Sequence, residues 1–291
     1  IKLVVGPAAG LPVDVFARVY ADKLSKALGQ PVVVENKAGA AGNIAQEAVA
    51  KSLPDGYTLL YAVSNSFVTN PYVYKKLPFD VDKDFTPVAM TAVSGLYLVV
   101  GNDFPAKTMP DMIKLVRANP GKFSYASYGV GGFPHLMMEL ILDQEKLDMV
   151  HVPYRGGALT DVAGGSVPMV IEPPNTAIPM IRDGRVRALA YLGTKPHPAT
   201  PDVPLLSDVI PGTKDIIGFH GVWAPANTPR EIVEKLNREL AKASKDPEVQ
   251  ERIRAAFAEP ASSSPEEMAA ITLKEQARWK ALILNKNIRL D

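Results

Sequence analysis

The chain has no cysteine among its 291 residues. That removes disulfides, thiolate metal ligands and cysteine nucleophiles together, and it leaves the compartment open. Histidine is scarce: His135, His151, His197 and His220 are the only four, and none has a partner at metal-ligand spacing. No apolar run approaches the length of a membrane span. A formal net charge of +1 carries no general attraction to nucleic acid or membrane. Acidic residues are plentiful, but they fall on helix surfaces, as Glu231, Glu234 and Glu239 do, so no paired catalytic set emerges. There is no low-complexity linker and no short-period repeat. No helix-turn-helix segment or basic patch points to a DNA-binding regulator.

What is present is an α/β pattern. The length suits two domains better than one. The chain begins at Ile1 inside a strand, without Met, as expected where a leader has been removed or the sequence trimmed. Residues 2–5 read as a buried strand, 6–10 as a loop, and Pro12 as a helix start, with Gly29 a stop. Strands at 31–35 and 57–63 enclose a second helix. Short strand–helix alternation predicts a mostly parallel sheet covered on both faces. Such sheets bind ligands at the loops after their strand C-termini, which places Pro7–Leu11 and Ser64-Asn65-Ser66 on one rim. Thr228 and Ser264 each head a capping-box pattern with proline next.

The most informative stretch is Phe123 to Leu136, FSYASYGVGGFPHL. Its first residues read as a strand. Gly129, Val130, Gly131 and Gly132 then read as a loop, and Pro134 as a helix start. Glycines admit a ligand close to the backbone, and a helix N-terminus offers free N–H groups to an anion. A tight structural turn is the plain alternative. As a dinucleotide fingerprint the spacing is weak, and no acid stands at the end of a second strand, so no cofactor is implied. As a nucleophile elbow Ser127 fails, because Tyr125 occupies the first glycine position. His135 could line a pocket or satisfy a local hydrogen bond. Arg155, after Tyr154 in a glycine turn, could clamp a carboxylate or be a solvated cation. Glu172, before Asn175, could hold a helix N-terminus or hinge, or bind a ligand amine. Phe67, Phe133 and Phe219 are core residues by default. Phe133 is the best exception, because it lies in the glycine loop.

Several stretches together resemble the periplasmic solute-binding proteins of tripartite tricarboxylate transporters, the Bug receptors. They are 1–14, LGQPVVVEN from Leu28, Ala41-Gly42-Asn43, PDGYTLL from Pro54, 129–136, HVPYRGG from His151, GRVRALA from Gly184 and APANTP from Ala224, in the family's order. The resemblance implies a two-domain Venus-flytrap fold, with 1–100 plus 222–291 as one domain, 101–221 as the other, and hinge strands near 99–101 and 221–223. It implies a periplasmic, monomeric receptor, not an enzyme, that passes a small organic carboxylate to membrane permease subunits. It also implies that backbone amides of two loops, one per domain, hold the carboxylate. Those loops map to 7–14 and 127–135. Here Ala8, Ala9, Gly10 and Leu11 replace the usual aromatic and paired glycines, with Asp14 retained. The alternative is an α/β enzyme acting on a small carboxylate.

Energetics favour two loops. A micromolar ligand needs about 8 kcal/mol, and one helix terminus supplies at most about 2. Several charge-assisted hydrogen bonds of about 1.5–3 kcal/mol each come closer. The expected contacts are therefore Ala8, Ala9, Gly10, Leu11, Asp14, Ser64, Asn65 and Phe67 on one side. Ser127, Gly129–Phe133, His135, Tyr154, Arg155, Glu172 and Asn175 are expected on the other. Leu11 with Phe67, Phe133 and Phe219 suggests an apolar-bodied ligand, such as an aromatic or medium-chain dicarboxylate.

Overall fold

A computed structural model describes residues 1–290. The chain opens with β1 (Lys2–Val5), α1 (Pro12–Leu28), β2 (Val33–Asn36), α2 (Asn43–Ala50) and β3 (Thr58–Val63). One-turn helices α3 (Asn65–Val68) and α4 (Asn70–Val73) lead to β4 (Phe85–Ser94) and β5 (Leu96–Gly101). Then come α5 (Met109–Arg117), β6 (Ser124–Ser127), α6 (Phe133–Glu145), β7 (Val150–Pro153) and α7 (Ala158–Ala163). β8 (Met169–Glu172), α8 (Pro174–Arg182), β9 (Val186–Leu192), α9 (Leu206–Val209) and β10 (Gly218–Pro225) follow. The chain closes with α10 (Arg230–Ser244), α11 (Pro247–Ala255), β11 (Glu259–Pro260) and α12 (Pro265–Asn285).

Contacts divide the chain into two compact units. The first is Ile1–Val93 with Gly218–Arg278, and the second is Ser94–Ile217 with Trp279–Leu290. The chain passes between them several residues before the positions expected near 99–101 and 221–223. The cause is pairing: β5 bonds β8 and β9 over its whole length, and β10 bonds β3 through Gly221 to Trp223. A third passage, inside α12, was not foreseen.

The first unit holds a six-stranded sheet in the order β11-β4-β10-β3-β1-β2, and the second a five-stranded sheet, β7-β6-β8-β5-β9. Each has a parallel trio, β3-β1-β2 and β7-β6-β8. Outside the trios, β10 runs antiparallel to β3, and β5 to β8 and β9, so the sheets are less parallel than expected.

One face of the first sheet buries Leu3, Val5, Leu59 and Tyr61 against Phe16, Tyr20 and Leu24 of α1 and Val233, Leu236 and Leu240 of α10. Each such side chain contributes about 1.5–3 kcal/mol by leaving water. Pro12 at the start of α1 and left-handed Gly29 (φ 64°) at its end bound the helix as expected. The capping box at Ser264 is reciprocal: Glu267 N donates to Ser264 Oγ (3.0 Å) and Ser264 N to Glu267 Oε2 (2.8 Å). The box expected at Thr228 is absent. That hydroxyl donates to Pro225 O at 2.7 Å, so the turn after β10 takes it before the helix can.

Candidate functional site

In a parallel trio every strand ends on the same edge, so three loops meet there. In the first unit these are Gly6–Leu11 after β1, Lys37–Gly42 after β2 and Ser64 to Ser66 after β3. They enclose a cavity of about 390 Å³ lined by Pro7, Ala8, Gly39, Gly42, Leu60 and Gln46, among others. The cavity belongs to this unit alone, and its floor of Leu60, Ala62 and Val63 is apolar.

Two features of this rim have no counterpart in the expected contacts. Residues 39–42 all have positive φ (Gly39 131°, Ala40 45°, Ala41 52°, Gly42 93°). Left-handed backbone costs an alanine about 1–2 kcal/mol, and nothing in the composition of a small-residue turn marks it. Gln46 of α2 is 1% exposed; its Nε2 donates to Ser66 O (3.2 Å), while its Oε1 has no partner. A polar residue in the middle of a short helix looks like surface, so it gave no signal. Gly6 is required for closeness: a Cβ there would stand 2.6 Å from Gly42 Cα.

Asp14 is 2% exposed and turned inward. It accepts from Gly10 N (2.9 Å), Arg18 Nε (3.0 Å) and Asn36 Nδ2 (2.9 Å). Burial alone would raise its pKa, but the hydrogen bonds from Arg18, Gly10 and Asn36 outweigh burial and hold it below the ordinary value. The expected ligand contacts Asp14 and Gly10 therefore satisfy each other. Ala8, Ala9 and Leu11, exposed beside them, have backbone N–H groups with no partner among the described residues. Ser64 is tied to β10, its N donating to Phe219 O (2.8 Å) and its Oγ accepting from Phe219 N (3.3 Å). Asn65 lines the cavity. Phe67 is a correction: it is 2% exposed, stacked on Trp223 at 4.0 Å, and belongs to the core. Phe219, also 1% exposed and against Trp223, joins it there, so the apolar lining is Leu60, Ala62 and Val63 instead.

In the second unit the loops after β6, β7 and β8 share an edge. Gly131 N donates to His135 Nδ1 (3.0 Å), the same four-residue spacing as Gly10 to Asp14. Gly129 N donates to Ser127 Oγ (3.3 Å), and Gly132 N to Gly129 O (3.3 Å). The amides of Val130 and Phe133 have no partner among the described residues. His135, read either as pocket lining or as a local hydrogen-bonder, is thus the latter. Phe133 is half-buried, its ring edge-on to Trp279 at 5.3 Å. Glu172 is buried and accepts from Tyr128 of the loop and from Thr176 Oγ1 (2.7 Å) of α8. Burial pushes its pKa up against those two hydrogen bonds. It holds the loop to the helix, which is the structural alternative. Tyr154 donates through OH to Asp161 (3.0 Å) and through N to Ser127 O (2.7 Å). Arg155 is exposed, with no ion pair among the described residues, and Asn175 is half-buried in the first turn of α8.

Ser127 Oγ lies 2.6 Å from His151 Nε2, the spacing of a nucleophile and its base. Ser127 is nonetheless 0% exposed, and its Oγ is turned into the loop toward Gly129. Among the described residues no group of three or more His, Asp or Glu could hold a metal. No helix there is long and apolar enough to cross a membrane.

Known proteins share this architecture. The model of the tripartite tricarboxylate transporter family receptor matches residues 16–288. A protein encoded in the tcbD-tcbE intergenic region of Pseudomonas sp. (strain P51) is 37% identical over 97% of this chain and 84% of its own. The structure of R. palustris Rpa4515 with adipate is 32% identical, covers 100% of this chain and 98% of that one, and superposes with a TM-score of 0.84. MatC from Rhodopseudomonas palustris with bound malate is 30% identical over 97% of this chain and 98% of its own, at a TM-score of 0.79. The two mixed α/β units are those of a periplasmic binding protein, and the chain belongs to the tripartite tricarboxylate transporter receptor family.

Proposed function

We propose that this protein is an extracytoplasmic receptor that binds a small organic carboxylate and delivers it to the permease of a tripartite tricarboxylate transporter. It acts as a periplasmic monomer and catalyses no reaction. The observation that carries this reading is the repeated loop design. In each unit a glycine amide is latched to a side chain four residues on, and neighbouring amides are left free: Ala8, Ala9 and Leu11 in one, Val130 and Phe133 in the other. Free amides at strand ends and helix N-termini suit a carboxylate. The apolar floor of the first unit's cavity suits the carbon chain of a medium-length acid, and the adipate and malate bound by two relatives support the class. The buried Ser127 disfavours an enzyme.

A thermal-shift panel of straight-chain, hydroxylated and aromatic mono- and dicarboxylates tests the reading. A ligand at 100 times its Kd adds about 2.7 kcal/mol of stability. A panel with no response, or turnover of any member, contradicts it.

A further inference from the structure

Beneath the Tyr128–Gly132 loop lie two histidines, of which the binding reading uses only the His135 latch. Their rings stack with centroids 3.9 Å apart and planes 21° from parallel. His135 Nδ1 accepts from Gly131 N at 3.0 Å, so the ring proton sits on Nε2, which is 3.9 Å from Glu139 Oε1. His151 Nε2 bonds Ser127 Oγ at 2.6 Å, and Ser127 Oγ in turn takes Gly129 N at 3.3 Å. One imidazole therefore fixes Gly131 directly, and the other fixes Gly129 through a hydroxyl. Val130, with its free amide, is held between them.

Building on the carboxylate-receptor reading, we propose that His135 and His151 are positioning residues: as a stacked neutral pair they hold both flanks of Val130 in the donor-presenting shape, and protonating the pair frees the loop and releases the ligand.

The chemistry requires a neutral His135 and disfavours charging both rings. An imidazolium has no lone pair, so a protonated His135 would set N–H against the Gly131 N–H. Two stacked cations at this distance also repel. The groups facing the pair are Tyr125 and Ser127 from β6 and Glu139 from α6 itself. The Tyr125 hydroxyl already donates to Glu139 Oε1 at 2.5 Å, which occupies the nearest carboxylate oxygen. Burial pushes His135 down to about 4. Burial, then the neighbouring His135, pushes His151 down to about 4 against the pull of Glu139. The latch is closed at neutral pH and opens in acid.

The test compares wild type with His135→Asn, whose Oδ1 can accept from Gly131 but does not titrate, and with His135→Leu, which cannot accept. Adipate is titrated by calorimetry from pH 7.5 to 4, and affinities are compared at each pH so that the ligand's own ionisation cancels. At pH 7.5, His135→Asn is expected within about threefold of wild type and His135→Leu about tenfold weaker, the size of one hydrogen bond. By pH 4 the wild type loses about twofold more than His135→Asn, as expected for one further site half protonated there. A second measurement needs no ligand and no variant: in ¹⁵N-labelled wild type the Gly131 amide should titrate with the same midpoint as the His135 ring. Equal binding by His135→Leu, parallel pH profiles for wild type and His135→Asn, or a Gly131 amide indifferent to pH overturns the proposal. If no carboxylate binds wild type at pH 7.5, the receptor reading falls, and the Gly131 titration still decides the latch.

Discussion

The two rims solve one problem with different chemistry. Each ends a parallel trio of strands, each turns through glycine into a proline-started helix, and each pins a glycine amide to the side chain four residues on. In the first unit that side chain is a carboxylate braced by Arg18 and Asn36. In the second it is an imidazole stacked on another. A carboxylate accepts at any pH above its own depressed pKa, whereas an imidazole accepts only when neutral. The rims also differ in how tightly they are built. The first depends on backbones in contact, Gly6 against Gly42, and on left-handed alanines. At Gly129 (φ 118°) a Cβ would meet nothing within 4 Å, so that glycine answers a conformational need alone. Similar topology thus conceals one rim held by packing and a charged latch, and another held by neutral hydrogen bonds.

The largest expected effect separates these. Gly6→Ala drives a Cβ into backbone and should cost about 3 kcal/mol in chemical denaturation, whereas Gly129→Ala carries only backbone strain and should cost nearer 1. Equal losses would break the contrast. The next effect is pH dependence. His135 and His220 are nearly fully buried, and burial pushes both of them, and His151 as well, down to about 4. The unfolded chain takes up protons first as pH falls below about 6.5, while the fold resists until about 4. Stability should therefore be flat above pH 6.5 and fall between 6.5 and 4, by about 4 kcal/mol per pH unit at the steepest for three protons. His135→Asn should remove about a third of that slope, read by urea denaturation at several pH values. Asp14→Ala leaves Gly10 N without its acceptor and Asn36 Nδ2 with Pro7 O alone, and should cost about 2–3 kcal/mol, while Arg18→Met should cost under about 1, because half of that side chain is in water. A costlier Arg18 change would mean that the ion pair, not the amide latch, holds the first loop. The smallest effect is a gain: Ala41→Gly removes left-handed strain but frees the unfolded chain, for a net of about +0.5 kcal/mol.

Much of this framework was legible. The strand, glycine loop and proline start at 2–12 and at 124–134 are local signals, as are the Gly29 stop and the Ser264 box. Other features depend on distant partners. Thr228 fits a cap by spacing, but Pro225 O reaches its hydroxyl first. Phe67 follows a rim loop, yet its ring lies under Trp223, some 150 residues away in sequence. The roles inside each loop were not separated by the sequence. Glycines and their neighbours were expected to contact the ligand alike, but the amides of Gly10 and Gly131 are taken by Asp14 and His135, and among the described residues the free N–H groups belong to neighbours such as Ala8, Leu11 and Val130. No residue type announces a free amide. Gln46 and the left-handed alanines were silent for the same reason: their role arises from a cavity that only three assembled loops create.

The receptor reading proposes that the free amides of both loops bind carboxylate. Titrating adipate into ¹⁵N-labelled protein at pH 7.5, while following the amides of Ala8, Ala9, Leu11, Val130 and Phe133, tests it most directly. All five should shift together along one binding curve. Shifts confined to one unit, or two curves with separate midpoints, would contradict it.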